Sequence, residues 1–265
     1  MKYKLSQNFL KNTGIANQIV EAIDLKKGDK VIEIGPGRGA LTDILVQKPI
    51  EILSLEKDFV IAENLKKKYK NQKNIKVVNR DALVFNSFDL ERFSKSDYKL
   101  ISNLPYAVTS PIINKYFVSG EIGKPFQAVL MVQKEVAERL SSKPGEKNRG
   151  ILSVLLQYHY KIDYLFEVSK ENFAPIPKVD SAVIKLSKIA NQPILEMGQI
   201  RLIKAGFSQK RRKLINSLSP LLSLNKTDLS VIIKKSNIEE GSRAEDLSVL
   251  DWQKLYLALK NNFTN

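Results

Sequence analysis

Residues 30–42 read KVIEIGPGRGALT, a short apolar run that leads into three closely spaced glycines and then into a helix-like segment. Val31, Ile32 and Ile34 are typical of a strand that is buried on both faces. Glycine lets the chain turn tightly and bring its backbone against a ligand, because no Cβ stands in the way. A strand, a glycine-rich turn and a helix in this order predict the first unit of a parallel α/β sheet, with a ligand-binding loop after the strand.

The alternation of strand and helix continues after this unit. Further strands are predicted for EILSLE (51–56), NIKVVN (74–79), YKLIS (98–102) and QAVLMVQ (127–133). Helices are predicted for TDILVQ (42–47), FVIAENLKKKY (59–69), SPIINKYF (110–117) and KEVAERLSS (134–142). This order predicts a parallel sheet with helices on both faces. Two later β-rich runs, YHYKIDYLFEVS (158–169) and SAVIKLSK (181–188), predict an antiparallel hairpin at the sheet edge.

The pattern changes around residues 189–193, where strand candidates end. The remaining segments have helical character: IRLIKAGFSQKRRKLINSL (200–218), TDLSVIIKKS (227–236) and VLDWQKLYLALK (249–260). We therefore predict two domains, an α/β domain over residues 1–190 and a small all-helical domain over residues 191–265.

The composition favours a polyanionic partner and excludes several kinds of chemistry. Lys and Arg number 43 against 28 Asp and Glu, and the resulting net charge of +15 attracts nucleic acid. The chain has no cysteine and one histidine, His159, which excludes disulfides, thiol catalysis, a histidine triad and a histidine metal cluster. We expect no metal site and read His159 as a packing residue. The N-terminus lacks a signal-peptide pattern and no apolar run is long enough to span a bilayer, so we expect a cytoplasmic protein without a membrane partner.

Acidic residues at the ends of successive predicted strands indicate a nucleoside-containing ligand. Glu56 lies 21 residues beyond Gly35, where a carboxylate can accept both hydroxyls of a ribose. Asp81 follows the next strand, and its carboxylate could accept from an adenine amino group while the amide of Ala82 donates to a ring nitrogen. Because ligands bind beyond the carboxyl ends of parallel strands, these groups predict one shared crevice.

Two details of the glycine loop favour S-adenosylmethionine over a dinucleotide. Pro36 stands between the first two glycines, and the loop lacks the G-x-G-x-x-G spacing that seats a pyrophosphate. Glu33 lies two residues before Gly35, and an acid there would repel a pyrophosphate but suits a ligand with an ammonium and a sulfonium. A nicotinamide-dependent oxidoreductase remains a rival interpretation, disfavoured by this spacing and by the basic composition.

The stretch ISNLPY (101–106) ends the fourth predicted strand and borders the same crevice. An exocyclic amine of a base is a poor nucleophile, because its lone pair is delocalised into the ring. The side-chain oxygen of Asn103 and the carbonyl of Leu104 could hold its hydrogens and aim the lone pair at a methyl group, while Pro105 fixes that carbonyl. Tyr106 offers a ring on which the base could stack. The stretch therefore predicts methylation of a base amine.

Together, NLPY (103–106) and EIGPGRGALT (33–42) resemble the adenine-N6 dimethyltransferases of ribosomal RNA. Further segments resemble the branch that modifies the small subunit: SQNFL (6–10), QKEVAERL (133–140), FAPIPKVDSAV (173–183), FSQKRRK (207–213) and RAE (243–245). The resemblance implies a Rossmann-like S-adenosylmethionine-dependent methyltransferase domain with a small all-helical C-terminal domain. It also implies transfer of four methyl groups to the N6 amines of two adjacent adenosines in the 3′-terminal hairpin of small-subunit (16S) rRNA. S-adenosylhomocysteine would be the product, and small-subunit biogenesis the cellular role.

The resemblance assigns roles to individual residues of this chain. Cofactor contacts are implied for Asn8, Leu10, Gly35, Gly37, Glu56, Asp81, Ala82 and Asn103, with Asn8 and Leu10 on an N-terminal arm over the cofactor. The catalytic residues implied are Asn103, Leu104, Pro105, Tyr106 and Phe173, with Phe173 and Tyr106 on opposite sides of the target base. Ser6 stands where many members carry glycine, a departure that touches none of this chemistry.

Cations are the predicted contacts to RNA phosphates. The candidates are the run Lys210, Arg211, Arg212 and Lys213 on a predicted helix, and Lys178 and Arg149 elsewhere. The partners implied are the small ribosomal subunit and its rRNA, and we expect a monomer. Two rivals stay open: a large-subunit adenine methyltransferase of the macrolide-resistance type, and a non-catalytic RNA-binding assembly factor with the same fold.

Overall fold

The computed structural model describes residues 8–86, 97–119, 123–209, 211–222 and 224–263, and it divides into two compact units. The first unit contains the described residues up to Ala137 and Tyr160–Lys188. The second contains Glu138–His159 and the described residues from Ile189 onward. This division differs from the predicted domains, 1–190 and 191–265, because Glu138–His159 groups with the C-terminal helices.

The first unit contains a mixed sheet of seven strands and a separate sheet of two strands. The strands of this unit are β1 (Phe9–Leu10), β2 (Lys30–Ile34), β3 (Glu51–Glu56), β4 (Ile75–Asn79), β5 (Lys99–Asn103), β6 (Gln127–Gln133), β7 (Tyr160–Val168), β8 (Phe173–Ala174) and β9 (Ser181–Lys188). Strands β1 and β8 form the two-stranded sheet, and the order of the seven-stranded sheet is β4-β3-β2-β5-β6-β9-β7. The first five strands in this order are parallel, and β9 is antiparallel to both of its neighbours. The predicted parallel sheet with an antiparallel hairpin at its edge is thus confirmed. Because strand order reverses between β2 and β5, a ligand crevice is expected beyond their carboxyl ends.

The central strands form because their side chains are apolar on both faces. Val31 and Ile32 in β2, Leu100 and Ile101 in β5 and all of residues 128–132 in β6 are fully buried. Burial of one large aliphatic side chain stabilises a fold by about 1.5–3 kcal/mol. These strands therefore give the loops at their carboxyl ends a rigid base.

Short helices follow the strands. They are α1 (Thr13–Ala22), α2 (Thr42–Leu45), α3 (Phe59–Lys68), α4 (Thr109–Ile113), which continues as a π-helical turn over Asn114–Ser119, and α5 (Lys134–Ser141). Asp58 caps α3 by accepting a hydrogen bond from the amide of Ile61 at 3.0 Å. Such a cap stabilises a helix start by about 1 kcal/mol and fixes where the chain turns after β3.

The second unit is helical. Besides the end of α5 it contains α6 (Ile151–His159), α7 (Met197–Gly206), α8 (Leu214–Leu218), α9 (Lys226–Lys235) and α10 (Val249–Leu259). Trp252 of α10 is buried and stacks on Phe207, with ring centroids 6.0 Å apart. A Cβ on Gly206 would lie 2.4 Å from Cη2 of Trp252, so only glycine lets α7 approach the indole this closely. No helix in the described part of the chain is long and apolar enough to cross a membrane.

Two local predictions are wrong. Tyr158 and His159 end α6 instead of opening a strand, because the helix formed by the mostly apolar run ILSVLLQ continues through them and buries both side chains. The predicted helix over 200–218 is interrupted: α7 ends at Gly206, α8 starts at Leu214, and Arg211 between them has a φ of +70°. A residue with a left-handed backbone cannot continue a right-handed helix.

Candidate active site beyond the parallel strands

A cavity of about 300 Å³ opens in the first unit, lined by the loops that follow β2, β3, β4 and β5. Its lining includes every residue predicted to bind the cofactor or to act in catalysis, namely Asn8, Leu10, Gly35, Gly37, Glu56, Asp81, Ala82, Asn103, Leu104, Pro105, Tyr106 and Phe173. The structure therefore brings residues from distant parts of the chain around one cavity. The part each plays in the reaction remains a prediction.

The glycine loop presents bare backbone on one wall. Gly35 and Gly37 have φ values of +66° and +56°, a region that residues other than glycine rarely adopt. The amide of Gly35 donates to the carbonyl of Leu55 at 2.9 Å, which ties the loop to β3. A Cβ on Gly37 would lie 3.0 Å from Cδ1 of Phe9. The loop therefore depends on glycine both for its turn and for its contact with the Phe9 ring.

Glu56 ends β3 with only 3% of its surface exposed. Its Oε2 accepts from the amide of Gly37 at 3.2 Å and its Oε1 accepts from the amide of Asp58 at 2.8 Å. Burial raises the pKa of Glu56, and these two amides oppose that rise. A carboxylate has about four acceptor positions, so the two amides fix the group and leave capacity for the hydroxyls of a ligand.

Asp81 and Ala82 follow β4. Oδ2 of Asp81 pairs with Nζ of Lys57 at 2.8 Å, and Oδ1 accepts from the amide of Leu83 at 2.9 Å. Partial burial acts to raise the pKa of Asp81, but the contacts with Lys57 and Leu83 outweigh it and the net pKa is lowered. The carbonyl of Ala82 accepts from the hydroxyl of Tyr116 at 3.1 Å. The ionised carboxylate of Asp81, a hydrogen-bond acceptor, thus lies next to the Ala82 backbone, which the bond from Tyr116 holds in place.

Glu33 lines the same cavity and is 1% exposed. Its carboxylate accepts from Oγ1 of Thr42 at 3.0 and 2.8 Å and from Oγ of Ser54 at 2.9 Å. Burial raises the pKa of Glu33 to about 7; the two hydroxyls oppose the rise, and the charges of Glu56 and Asp43 add to it. The group therefore changes its charge near neutral pH.

Asn103 and Leu104 are held against the central sheet. Asn103, the last residue of β5, lies opposite Met131 of β6, and the amide of Leu104 donates to the carbonyl of Met131 at 3.0 Å. Nδ2 of Asn103 is 3.5 Å from the carbonyl oxygen of Asn8, at the limit of a hydrogen bond. Pro105 follows with a φ of −59°. The backbone of the predicted catalytic segment is therefore fixed before any ligand binds.

The N-terminal arm joins the segment that carries Phe173. β1 pairs antiparallel with β8, with Leu10 opposite Phe173 and Phe9 opposite Ala174. Phe173 is 1% exposed and lines the cavity. The predicted arm is therefore attached to the predicted base-binding loop as well as to the cofactor side. Ser6, the departure from the family pattern, lies outside the described residues.

Sequence reasoning missed two contributors to this wall, Phe9 and Arg38. The Arg38 guanidinium carbon lies 4.7 Å from the centre of the Phe9 ring, close enough for a cation–π contact. Both residues stand beside predicted site residues, in NFL and GPGRG. Only their contact across the fold shows that they act together.

The predicted RNA contacts have different environments. Arg211, Arg212 and Lys213 are exposed in the connection between α7 and α8, and Lys178 is exposed in the loop before β9. Lys210 lies outside the described residues. Arg149 is 5% exposed, and its Nη1 donates to the carbonyl of Ser142 at 2.5 Å and to Oε1 of Gln157 at 2.7 Å. The prediction that Arg149 contacts phosphate is therefore wrong, since its charge is used inside the second unit.

The chain matches a family model over residues 1–261, and that family is described as ribosomal RNA adenine dimethylase. Ribosomal RNA small subunit methyltransferase A of Fusobacterium nucleatum is 38% identical over 253 residues, which cover 94% of this chain and 93% of the relative. The protein of the same name in Francisella tularensis subsp. novicida is 38% identical over 256 residues, covering 96% and 95%.

Two solved structures share the fold. A dimethyladenosine transferase from Plasmodium falciparum matches with a TM-score of 0.83 at 26% identity, covering 97% of this chain and 100% of that one. The 23S rRNA methyltransferase ErmE matches with a TM-score of 0.75 at 24% identity, covering 96% and 100%, a likeness of fold alone. The predicted Rossmann-like methyltransferase fold is confirmed, and a nicotinamide oxidoreductase is excluded. Because the family model matches residues 1–261 of the 265-residue sequence, this chain belongs to the ribosomal RNA adenine dimethylase family.

Proposed function

We propose that this protein transfers methyl groups from S-adenosylmethionine to the N6 amines of two adjacent adenosines in the 3′-terminal hairpin of small-subunit (16S) rRNA, giving N6,N6-dimethyladenosines. The names of the two bacterial relatives support the choice of subunit. The observation that carries the proposal is the position of Asn103 and Leu104 on the cavity that Glu56 and Asp81 also line.

The residues around the cavity fit S-adenosylmethionine. Buried Glu56 can accept the ribose hydroxyls, Asp81 and the Ala82 amide can meet the adenine edge, and the Gly35–Gly37 backbone leaves room for the methionine part. The proposed cofactor contacts are Asn8, Leu10, Gly35, Gly37, Glu56, Asp81, Ala82 and Asn103. When bound, S-adenosylmethionine supplies an electrophilic methyl group on its sulfonium, and S-adenosylhomocysteine is left after transfer.

Asn103 and Leu104 activate the target amine by position. The carboxamide oxygen and the carbonyl each accept one N–H of the amine, so the nitrogen lone pair is drawn out of conjugation and directed at the methyl carbon. The Leu104 amide donates a hydrogen bond to the Met131 carbonyl, so the Asn103 oxygen and the Leu104 carbonyl need little reorganisation during the reaction. The nitrogen becomes acidic as the new N–C bond forms and the C–S bond breaks, and its proton can leave to water without a strong base.

Tyr106 and Phe173 are the proposed walls of the adenine site. Both line the cavity: Phe173 lies in β8, which pairs with β1, and Tyr106 lies in the turn that follows β5. Stacking of a base on an aromatic ring is worth about 1–3 kcal/mol. This is comparable with the few kcal/mol that unstacking an adenine from RNA costs.

Lysine and arginine side chains bind the RNA backbone. The proposed contacts are Lys178 in the first unit and Lys210, Arg211, Arg212 and Lys213 in the C-terminal region 191–265. Their charge and the net charge of +15 support this. The protein acts in the cytoplasm during small-subunit biogenesis, because its proposed substrate is assembled there. We also expect it to act as a monomer.

The test is methyl transfer from labelled S-adenosylmethionine to purified, unmethylated small and large subunits, followed by mapping of the labelled nucleotides. We expect label at two adjacent adenosines of the small-subunit hairpin. Label confined to the large subunit would replace this proposal with a large-subunit methyltransferase. Tight RNA binding with no transfer to either subunit would indicate a non-catalytic assembly factor.

A further inference from the structure

The hydroxyl of Ser181 is buried beside the proposed adenine site. Ser181 is 1% exposed, and its Oγ lies 3.1 Å from the phenol oxygen of Tyr106. Tyr106 lines the cavity, whereas Ser181 is not among the described residues that do. Ser181 therefore contacts the side chain proposed to stack on adenine without contacting the ligand space itself.

The backbone at Ser181 is fixed on every side. Ser181 opens β9 and lies opposite Gln133 of β6 and Val168 of β7. The residue before it, Asp180, accepts at its carbonyl from the amide of Lys134 at 3.0 Å and at its Oδ1 from the amide of Lys170 at 2.9 Å. The Ser181 hydroxyl thus projects from a rigid point of the sheet.

Tyr106 is held less firmly by its own element. It lies in a single 3₁₀ turn, Tyr106–Val108, and is only half-buried. A tyrosine side chain in such a turn can swing about its Cα–Cβ bond unless its far end is held, and a buried phenol usually has a hydrogen-bond partner. The phenol oxygen lies on the long axis of the ring, so a hydrogen bond at this atom holds the position and direction of that axis. Because the ring must stand beside the adenine to stack on it, this bond would set where the adenine lies.

We propose that Ser181 is a positioning residue for methyl transfer, which holds the Tyr106 ring at the place where the target adenine stacks. The inference rests on the stacking role proposed for Tyr106. The segment from Phe173 to Ser181 then positions both walls of the adenine site, one through the β1–β8 pair and one through this hydroxyl.

The test is a double-mutant cycle with Ser181→Ala and Tyr106→Phe, each of which removes one partner of the hydrogen bond. We expect each single variant to lower kcat roughly three- to tenfold, in line with the loss of one net hydrogen bond. The double variant should be no slower than the slower single variant, and the cofactor Kd should change less than twofold. Ser187→Ala is the matched control, since Ser187 lies on the same strand about 20 Å away and should keep wild-type kcat.

Several outcomes would overturn the inference. They are losses that multiply in the double variant, an equal loss in Ser187→Ala, or a parallel loss of cofactor affinity. The proposed function fails separately, if the wild-type protein transfers no methyl to small subunits. If the wild-type protein does transfer and the cycle is still multiplicative, only the role of Ser181 is wrong.

Discussion

Among single residues, Asn103 has the most direct proposed contact with the reacting nitrogen. Replacing it with alanine removes one acceptor, while the Leu104–Met131 hydrogen bond keeps the end of β5 in place. We expect Asn103→Ala to lower kcat at least about 100-fold, the scale seen when one preorganised transition-state contact is lost. Methyl transfer to small subunits measures the effect, and thermal unfolding serves as the control for the fold. A variant that kept more than a tenth of wild-type activity would contradict this role.

Glu33 makes the stability of the protein depend on pH. Its pKa is about 7 in the folded chain against an ordinary value of 4.5, so between these values the folded state binds more protons than the unfolded state. Stability contributed by the protonated carboxyl is therefore fully present at low pH and is lost as the pH rises through this window. At about 1.4 kcal/mol per pH unit, the whole effect is about 3 kcal/mol.

Glu33→Gln tests this contribution, because glutamine keeps an oxygen for Thr42 and Ser54 but cannot ionise. We expect the variant to have nearly wild-type stability at pH 5 and to be more stable than wild type at pH 8, by up to about 3 kcal/mol. Urea unfolding at both pH values measures the difference. Glu51→Gln, at an exposed position of β3, is the control that makes the same chemical change. Equal pH profiles for wild type and Glu33→Gln would show that Glu33 ionises normally.

Among the elements, the glycine loop and the N-terminal arm meet at the contact between Gly37 and the Phe9 ring. Alanine at Gly37 would place a Cβ 3.0 Å from the Phe9 ring and would also strain a backbone with a φ of +56°. Gly28→Ala is a matched control, since its φ is +85° and, apart from its two chain neighbours, no atom of the described residues lies within 4 Å of the added Cβ. We expect both variants to lose about 1–2 kcal/mol of stability from the backbone alone. Only Gly37→Ala should also weaken cofactor binding, roughly tenfold, as measured by calorimetry; equal affinities would show that the Phe9 contact is unimportant.

The sequence predicted strands better than it predicted helix ends. The runs KVIEI, EILSLE, QAVLMVQ and SAVIKLSK coincide with β2, β3, β6 and β9, because each is a compact apolar run bounded by polar or turn residues. The start of β7 and the break between α7 and α8 were missed, since both depend on how neighbouring segments pack. The β1–β8 pair was also beyond prediction, because two-residue strands far apart in sequence have no local pattern.

Composition and domain organisation belong to the whole molecule. The excess of cations was readable from the sequence, whereas the side chains that are free to meet RNA were not. Arg149 shows why: its charge is buried against Ser142 and Gln157. The grouping of Glu138–His159 with the C-terminal helices has the same origin, because contacts between distant segments decide it and not composition.

RNA affinity should depend both on the net positive charge of the chain and on a few direct contacts to phosphates. We expect Arg211→Ala with Arg212→Ala to weaken RNA binding and to reduce the slope of log affinity against log salt by about 1.5, since each phosphate contact contributes about 0.7–0.9. Lys66→Ala with Lys67→Ala removes the same charge from α3 and should leave the slope close to wild type. Binding at several salt concentrations separates the two. Equal slopes for the two double variants would remove Arg211 and Arg212 from the RNA interface.

The short ladder between Phe9–Leu10 and Phe173–Ala174 has a kinetic implication. Dimethylating an adenosine requires spent donor to be exchanged for fresh donor between the two transfers. If the N-terminal arm must move away from the cavity for this exchange, Phe173 loses its strand partner, Leu10. The singly methylated adenosine is then held less tightly. RNA that carries singly methylated adenosine should then dissociate and accumulate early in a time course. An excess of unlabelled RNA should capture the free protein and leave the labelled RNA singly methylated.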